Sequence, residues 1–247
     1  MRNDNEQGPG GKNTGIVRIY VWELPVRLAH WTIVLALVVL AFTGTYMHDP
    51  FLVAVGGRAW VMGTIRYIHL IAAFVFVAAF MLRFYWFFAG NRWANWRQFL
   101  PFEKARRSGM RGMLHYYLFF RWWPVSVVGH NALAGSVYTT IYALVVVEIL
   151  TGFALLDNIL GSRALHFFIG WLPRLIDLQY LRSIHFLVMF LFGVFVIHHV
   201  YSAILVSKEE KSGLMESIFT GYKFFPKSHF EADTSEVPAH EHEIAER

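Results

Sequence analysis

The sequence predicts an all-α integral membrane protein built as a bundle of four transmembrane helices. Hydrophobic residues make up 56% of the 247 residues and charged residues only 16%, a balance typical of membrane proteins. Four apolar runs are long enough to cross a bilayer, which takes about 20 residues. These runs span 28–47, 65–88, 133–156 and 184–206, and no soluble domain lies between them.

The four runs divide the chain into three parts. Residues 1–24 form a polar N-terminal segment, 25–206 the transmembrane domain, and 207–247 a C-terminal tail whose acidic end we expect to be disordered. The stretches 99–123 and 163–181 mix charged and aromatic residues. We expect them to lie on the two membrane surfaces.

Positive charge is concentrated in the middle connection, 89–132, which has seven Arg or Lys residues against one acid, Glu103. Loops rich in Arg and Lys stay in the cytoplasm. This predicts a multi-pass protein of the cell inner membrane, with both termini and the middle connection cytoplasmic. The formal charge of +5 is explained by this orientation. We expect no nucleic-acid partner, because a basic face on a soluble fold is missing.

The chain contains no cysteine and twelve histidines. The lack of cysteine excludes disulfides, cysteine-ligated iron–sulfur clusters and c-type haem attachment. Histidine is therefore the main resource for binding a metal or a cofactor.

The last apolar run, "SIHFLVMFLFGVFVIHHVYSA", carries three histidines. His185 and His199 are fourteen positions apart, which is about 40° short of four helical turns and about 21 Å along the axis. They share one face, whereas His198 lies about 140° away from His185. Because the hydrocarbon core is about 30 Å thick, His185 and His199 lie near opposite membrane surfaces.

Two other runs supply a partner at each level. His30 lies at the cytoplasmic start of the first run and His69 near the outer start of the second. We therefore predict two pairs, His69 with His185 and His30 with His199. Two neutral imidazoles suit the axial positions of one haem iron. The pattern predicts two haems b per chain and an electron path across the bilayer.

Arginines and glycines near these histidines are further candidates for binding a cofactor. Arg27, Arg66 and Arg182 each lie one turn before a histidine, on its water-facing side. We predict that they bind haem propionates; snorkelling at the membrane surface is the alternative. Gly44 and Gly152 offer small surfaces at which a porphyrin or a neighbouring helix can approach closely.

Several segments together resemble the cytochrome b subunit of membrane-bound nickel–iron hydrogenases. In chain order, from Pro25 to Phe224, they are "PVRLAHW", "FTG", "IRYIH", "MLRFYWFFAGNRW", "GHNALAG", "LTGFAL", "IHHVY" and "TGYKF". The cytochrome b subunit of formate dehydrogenase shares the four-span dihaem plan and is the nearest alternative. Glu148 departs from the pattern, because an apolar residue is expected at its position in the third run.

The resemblance implies that His30, His69, His185 and His199 occupy the family's haem-ligand positions. It also implies an anchor for a hydrogenase small subunit with iron–sulfur clusters, together with its large subunit, that passes electrons to a membrane quinone. No catalytic residue is predicted, since a chain without cysteine cannot hold a nickel–iron centre. A histidine-based membrane transporter is the alternative from another class. A transporter would need ionisable residues that continue across the membrane, and the middle of these runs is apolar.

Overall fold

The computed structural model describes residues 16–50, 60–96, 99, 104–120, 122 and 132–226; the acidic end of the tail lies outside this part. In chain order, its elements are β1 (Ile16–Tyr20), α1 (Leu24–His48), α2 (Val61–Ala89), α3 (Lys104–Tyr117), α4 (Ala132–Leu160), α5 (Arg163–Ile169), α6 (Leu172–Leu175), α7 (Leu178–Glu210), α8 (Leu214–Thr220) and β2 (Tyr222–Pro226).

The four predicted spans are confirmed as the four long helices α1, α2, α4 and α7, each long and apolar enough to cross a membrane. Every one of them extends beyond its apolar run at both ends. The N-cap of α7 is Asp177, whose carboxylate accepts a hydrogen bond from the Gln179 amide at 2.8 Å. The helix therefore begins inside the segment that was predicted to lie on the membrane surface.

A two-stranded antiparallel sheet corrects the prediction of an all-α fold. β1 pairs with β2 in a register that runs from Ile16 opposite Pro226 to Tyr20 opposite Tyr222. The sheet joins segments that lie some 200 positions apart in the sequence, so no local pattern could indicate it. It ties the segment before α1 to the segment after α8. Both therefore lie at the same end of the bundle, called the sheet end below.

Lys223, on β2, is only 2% exposed. Burial lowers the pKa of this lysine from 10.5 to about 8, although the charge of Glu210 acts in the opposite direction. Between these two pH values the unfolded chain binds more protons than the folded one, so the free energy of unfolding rises with pH. The full shift corresponds to roughly 3 kcal/mol.

We expect thermal unfolding in detergent to show this rise in stability between pH 8 and 10.5. The Lys223→Met variant should lose the rise, because methionine does not titrate. Lys208→Met, at an exposed position of α7, should keep it. An identical pH profile for wild type and Lys223→Met would contradict the assignment.

An apolar layer fills the middle of the bundle. Within the membrane, α1 packs mainly against α2 and α4 against α7. Where the four helices meet, the buried cluster consists of Ala36, Phe76, Phe80, Val145, Val188 and Phe192. Phe192 lies seven positions from both His185 and His199, halfway between the two predicted ligands of α7. The cluster therefore separates the two levels of histidines with hydrocarbon.

Candidate metal-binding sites

Side chains that could hold a cofactor form two layers, one on each side of the apolar cluster. On each spanning helix, a step of fourteen positions leads from one layer to the other. Two heptads fall slightly short of four helical turns, so both positions face the bundle interior. The layer at the sheet end consists of His30, Arg83, Tyr138 and His199, and the opposite layer of Gly44, His69, Gly152 and His185.

His69 and His185 face each other in the layer away from the sheet. Their ring centres are 6.5 Å apart, with an angle of 66° between the ring planes. The side chains come from α2 and α7. This is the pair that the sequence predicted for the outer level.

A threonine orients each ring of this pair. The Thr43 hydroxyl donates to the Val39 carbonyl at 2.7 Å, and its oxygen lies 2.8 Å from Nδ1 of His69. Because the hydroxyl proton is used on the helix, the threonine oxygen accepts the Nδ1–H of the imidazole. Nε2 then keeps its lone pair, which is the form that binds a metal.

Thr151 repeats this arrangement on the other side. Its hydroxyl donates to the Val147 carbonyl at 2.8 Å and lies 3.0 Å from Nδ1 of His185. Glu148 approaches the same Nδ1 at 3.3 Å, and its second oxygen has no hydrogen-bond partner within the described ranges. His185 therefore has two acceptors for one proton, whereas His69 has one.

Each threonine is followed by one of the predicted glycines. A Cβ atom at Gly44 would lie 3.6 Å from Cε1 of His69, an ordinary contact. At Gly152 it would lie 3.2 Å from Cε1 of His185, which is closer than ordinary packing allows. Both glycines thus lie against the imidazole rings, and Gly152 leaves no space for a side chain.

His30 and His199 face each other at the sheet end, with ring centres 6.4 Å apart and an interplanar angle of 55°. The hydroxyl of Tyr138 lies 3.1 Å from Nδ1 of His199, and Phe195 stacks on the same ring. Nδ1 of His30 is buried and has no partner in the described part of the chain.

The helical phase predicted from the sequence agrees with this geometry. His199, and not its neighbour His198, faces His30. His198 is exposed, lies 3.2 Å from the Ser202 hydroxyl and is close to the ring of Tyr117.

Both pairs fit a haem iron. Two imidazoles bound to opposite faces of one metal ion place their ring centres about 6 Å apart, since each metal–nitrogen bond is about 2 Å long. The separations of 6.4 and 6.5 Å match this value. At the His69–His185 pair, the tautomers fixed by the two threonines leave Nε2 of each ring free to bind a metal.

The three predicted arginines differ in their surroundings. Arg66 and Arg182 are exposed, and Arg182 donates to the Gln179 side chain at 3.1 Å. Arg27 is partly buried and donates to the Phe219 carbonyl of α8. Its Nε is buried without a partner among the described residues. Propionate binding by these arginines stays a prediction.

Sequence reasoning missed Thr43, Thr151, Tyr138 and Arg83. The threonines could have been found from the sequence, because the dipeptide Thr-Gly occurs in both "FTG" and "LTGFAL". The sequence indicates Tyr138 and Arg83 less directly. Tyr138 lies fourteen positions from Gly152 and Arg83 fourteen positions from His69, each on the same helix.

Four membrane-crossing helices that hold facing histidine pairs at two depths define an integral membrane protein of the cytochrome class. The chain belongs to the prokaryotic cytochrome b561 family, whose model matches residues 21–221. As a member of a b-type cytochrome family it binds haem b, and it is a multi-pass protein of the inner membrane.

Three relatives show what the chain is similar to. A probable Ni/Fe-hydrogenase B-type cytochrome subunit of Cupriavidus necator is 36% identical over 89% of this chain and 93% of the relative. The probable Ni/Fe-hydrogenase 1 B-type cytochrome subunit of Escherichia coli K12 is 33% identical over 86% and 93%. The corresponding protein of Rhodobacter capsulatus is 32% identical over 86% and 84%. These relatives confirm the resemblance to hydrogenase cytochrome b subunits.

Proposed function

We propose that the chain is the hydrogenase-associated cytochrome b subunit that carries electrons across the inner membrane to quinone. It binds two haems b, one through His69 and His185 and one through His30 and His199. The observation that carries the proposal is the ring separation of 6.4 and 6.5 Å in two histidine pairs at two depths. A bound haem supplies one-electron chemistry at its iron.

The side chains of this protein restrict that chemistry to electron transfer. A haem iron held by both imidazoles of a pair would have no position left for oxygen or substrate. Thr43 and Thr151 hold the rings of one pair in the metal-binding tautomer. The apolar cluster around Phe76 and Phe192 keeps water out of the middle of the bundle.

The orientation follows from charge. With the Arg-rich connection in the cytoplasm, the sheet end faces the cytoplasm and the His69–His185 pair lies near the periplasm. A periplasmic hydrogenase, with iron–sulfur clusters in its small subunit and hydrogen activation in its large subunit, then donates electrons at that pair. Quinone accepts them near the His30–His199 pair. The three relatives are named as Ni/Fe-hydrogenase cytochrome subunits, which favours this partner over formate dehydrogenase.

Exposure of the membrane complex to hydrogen tests this proposal. We expect hydrogen to reduce haem b, as seen in its absorbance bands, and a quinone analogue to reoxidise it. Formate should leave the haem oxidised. Haem that dithionite reduces but hydrogen does not would contradict the proposed role.

Removal of a threonine acceptor should change the haem potential without removing the haem. In Thr43→Val, the isosteric side chain no longer accepts the Nδ1–H of His69, a hydrogen bond worth about 1 kcal/mol. An acceptor at this nitrogen makes the imidazole a more basic ligand and favours the ferric state. We therefore expect the midpoint potential of one haem to rise, as measured by redox titration.

Thr45→Val is the matched control, because among the described residues the Thr45 hydroxyl donates to the sulfur of Met189 at 3.9 Å and not to a histidine. It should leave both potentials unchanged. Equal potentials in Thr43→Val and wild type would show that Thr43 has no influence on the ligand.

A further inference from the structure

Arg83 is a buried cation in the last third of α2, in the same layer as the His30–His199 pair. It lies six residues before the end of α2, as His30 lies six residues after the start of α1, so the two are at similar depth. Arg83 is only 7% exposed. Its spacing of fourteen from His69 turns it toward the bundle interior.

The described residues provide hydrogen-bond acceptors for only part of this guanidinium. Nη2 donates a long hydrogen bond of 3.4 Å to the Ala94 carbonyl, and the group lies 5.3 Å from the ring centre of Phe99. Nη1 is buried and has no hydrogen-bond partner among the described residues. A buried guanidinium is normally compensated by an anion with which it forms two hydrogen bonds.

The surroundings show where such an anion would lie. The Phe99 ring, against which Arg83 lies, also packs against Tyr138 at 6.2 Å between ring centres, and the Tyr138 hydroxyl lies 3.1 Å from Nδ1 of His199. The nearby carboxylate of Glu23 is already engaged, since it accepts from the Trp86 indole at 3.1 Å and the Asn91 amide at 2.8 Å. Glu23 therefore already has its partners, and the packing of Arg83 leads through Phe99 and Tyr138 to the histidine pair.

We infer that Arg83 binds a carboxylate of the ligand held between His30 and His199, namely a propionate of the haem at the sheet end. This inference rests on the proposed ligation of a haem by that pair. The bond to Ala94 pulls the guanidinium toward the sheet end, the side on which propionates reach water. Arg27, which the sequence suggested for this role, donates through Nη1 to the Phe219 carbonyl, and its buried Nε is a second open donor among the described residues at this end.

Among the described residues, the other layer has no buried arginine that corresponds to Arg83. The residues fourteen positions from His30 on α1 and from Tyr138 on α4 are Gly44 and Gly152, and Arg66 and Arg182 are exposed. A fixed positive charge near one haem stabilises its reduced form. Arg83 therefore raises the potential of the haem at the sheet end, which favours electron flow toward it.

Redox titration of the purified complex tests the inference. In Arg83→Gln, we expect the midpoint potential of the haem at the sheet end to fall. At a fixed applied potential, the ratio of reduced to oxidised haem should fall at least tenfold, which corresponds to about 59 mV for a one-electron couple. The other haem should keep its potential. Arg92→Gln is the matched control, because Arg92 lies in the nearby loop over the Trp93 ring, and it should shift neither.

The conservative variant Arg83→Lys keeps the positive charge. It tests the inference if Arg83→Gln loses the haem and its potential cannot be measured. Retention of that haem in Arg83→Lys, with a smaller shift, supports a carboxylate partner. Loss in both variants overturns the inference, as does an unshifted potential in Arg83→Gln with full haem content. A wild-type complex without two separable haem transitions would instead refute the proposed function.

Discussion

Replacement of either histidine of one pair by alanine is expected to remove one haem and leave the other. His69→Ala and His185→Ala should both lose the same haem, and His30→Ala and His199→Ala the second. A haem held by one imidazole would be bound weakly, and the space left by the removed side chain would admit water. The apolar cluster between the layers keeps the second site intact.

The measurement is the haem content per chain, which should fall from two to one, combined with low-temperature spectra that distinguish the two haems. His198→Ala is the control from the adjacent position and should keep both, because His198 points away from His30 toward Ser202 and Tyr117. Loss of a haem in His198→Ala, or loss of different haems from two variants of one pair, would refute the assignment of ligands.

A side chain at Gly152 is expected to eliminate the haem between His69 and His185. The first added carbon already lies 3.2 Å from Cε1 of His185. The branched side chain in Gly152→Val must therefore displace the ring, which Thr151 holds at 3.0 Å. Overpacking of this kind costs about 1–3 kcal/mol, and it moves the nitrogen that is proposed to bind iron.

Gly193→Val is the matched control on α7, because nothing lies within 4 Å of a Cβ atom there. It should keep two haems, and Gly44→Ala should keep them as well, since its contact of 3.6 Å with His69 is ordinary. Haem content and thermal stability should be measured on all three variants, and only Gly152→Val should lose a haem. A Gly152→Val protein with two haems at unchanged potentials would show that the glycine is not needed for close approach.

The pairing of the histidines could be predicted because it depends on helical phase alone. A spanning helix is straight enough for the fourteen positions between His185 and His199 to keep both on one face. Depth in the bilayer then selects His69 and His30 as partners. The arginines were predicted from proximity in sequence, which says nothing about burial. Arg66 is exposed whereas Arg83, fourteen positions from the nearest histidine in the sequence, is buried in the layer of the His30–His199 pair.

The sequence by itself determined the class of the protein, the four spans and the two levels at which histidines meet, because hydrophobicity and helical periodicity are local properties of the chain. Only the tertiary structure decided which hydroxyls fix the imidazoles, which arginine is left buried with an open donor, and how β1 closes on β2. Those features depend on contacts between residues from different helices or from the two ends of the chain. The spacing within one helix cannot specify such contacts, since the rotation and separation of neighbouring helices are set by packing.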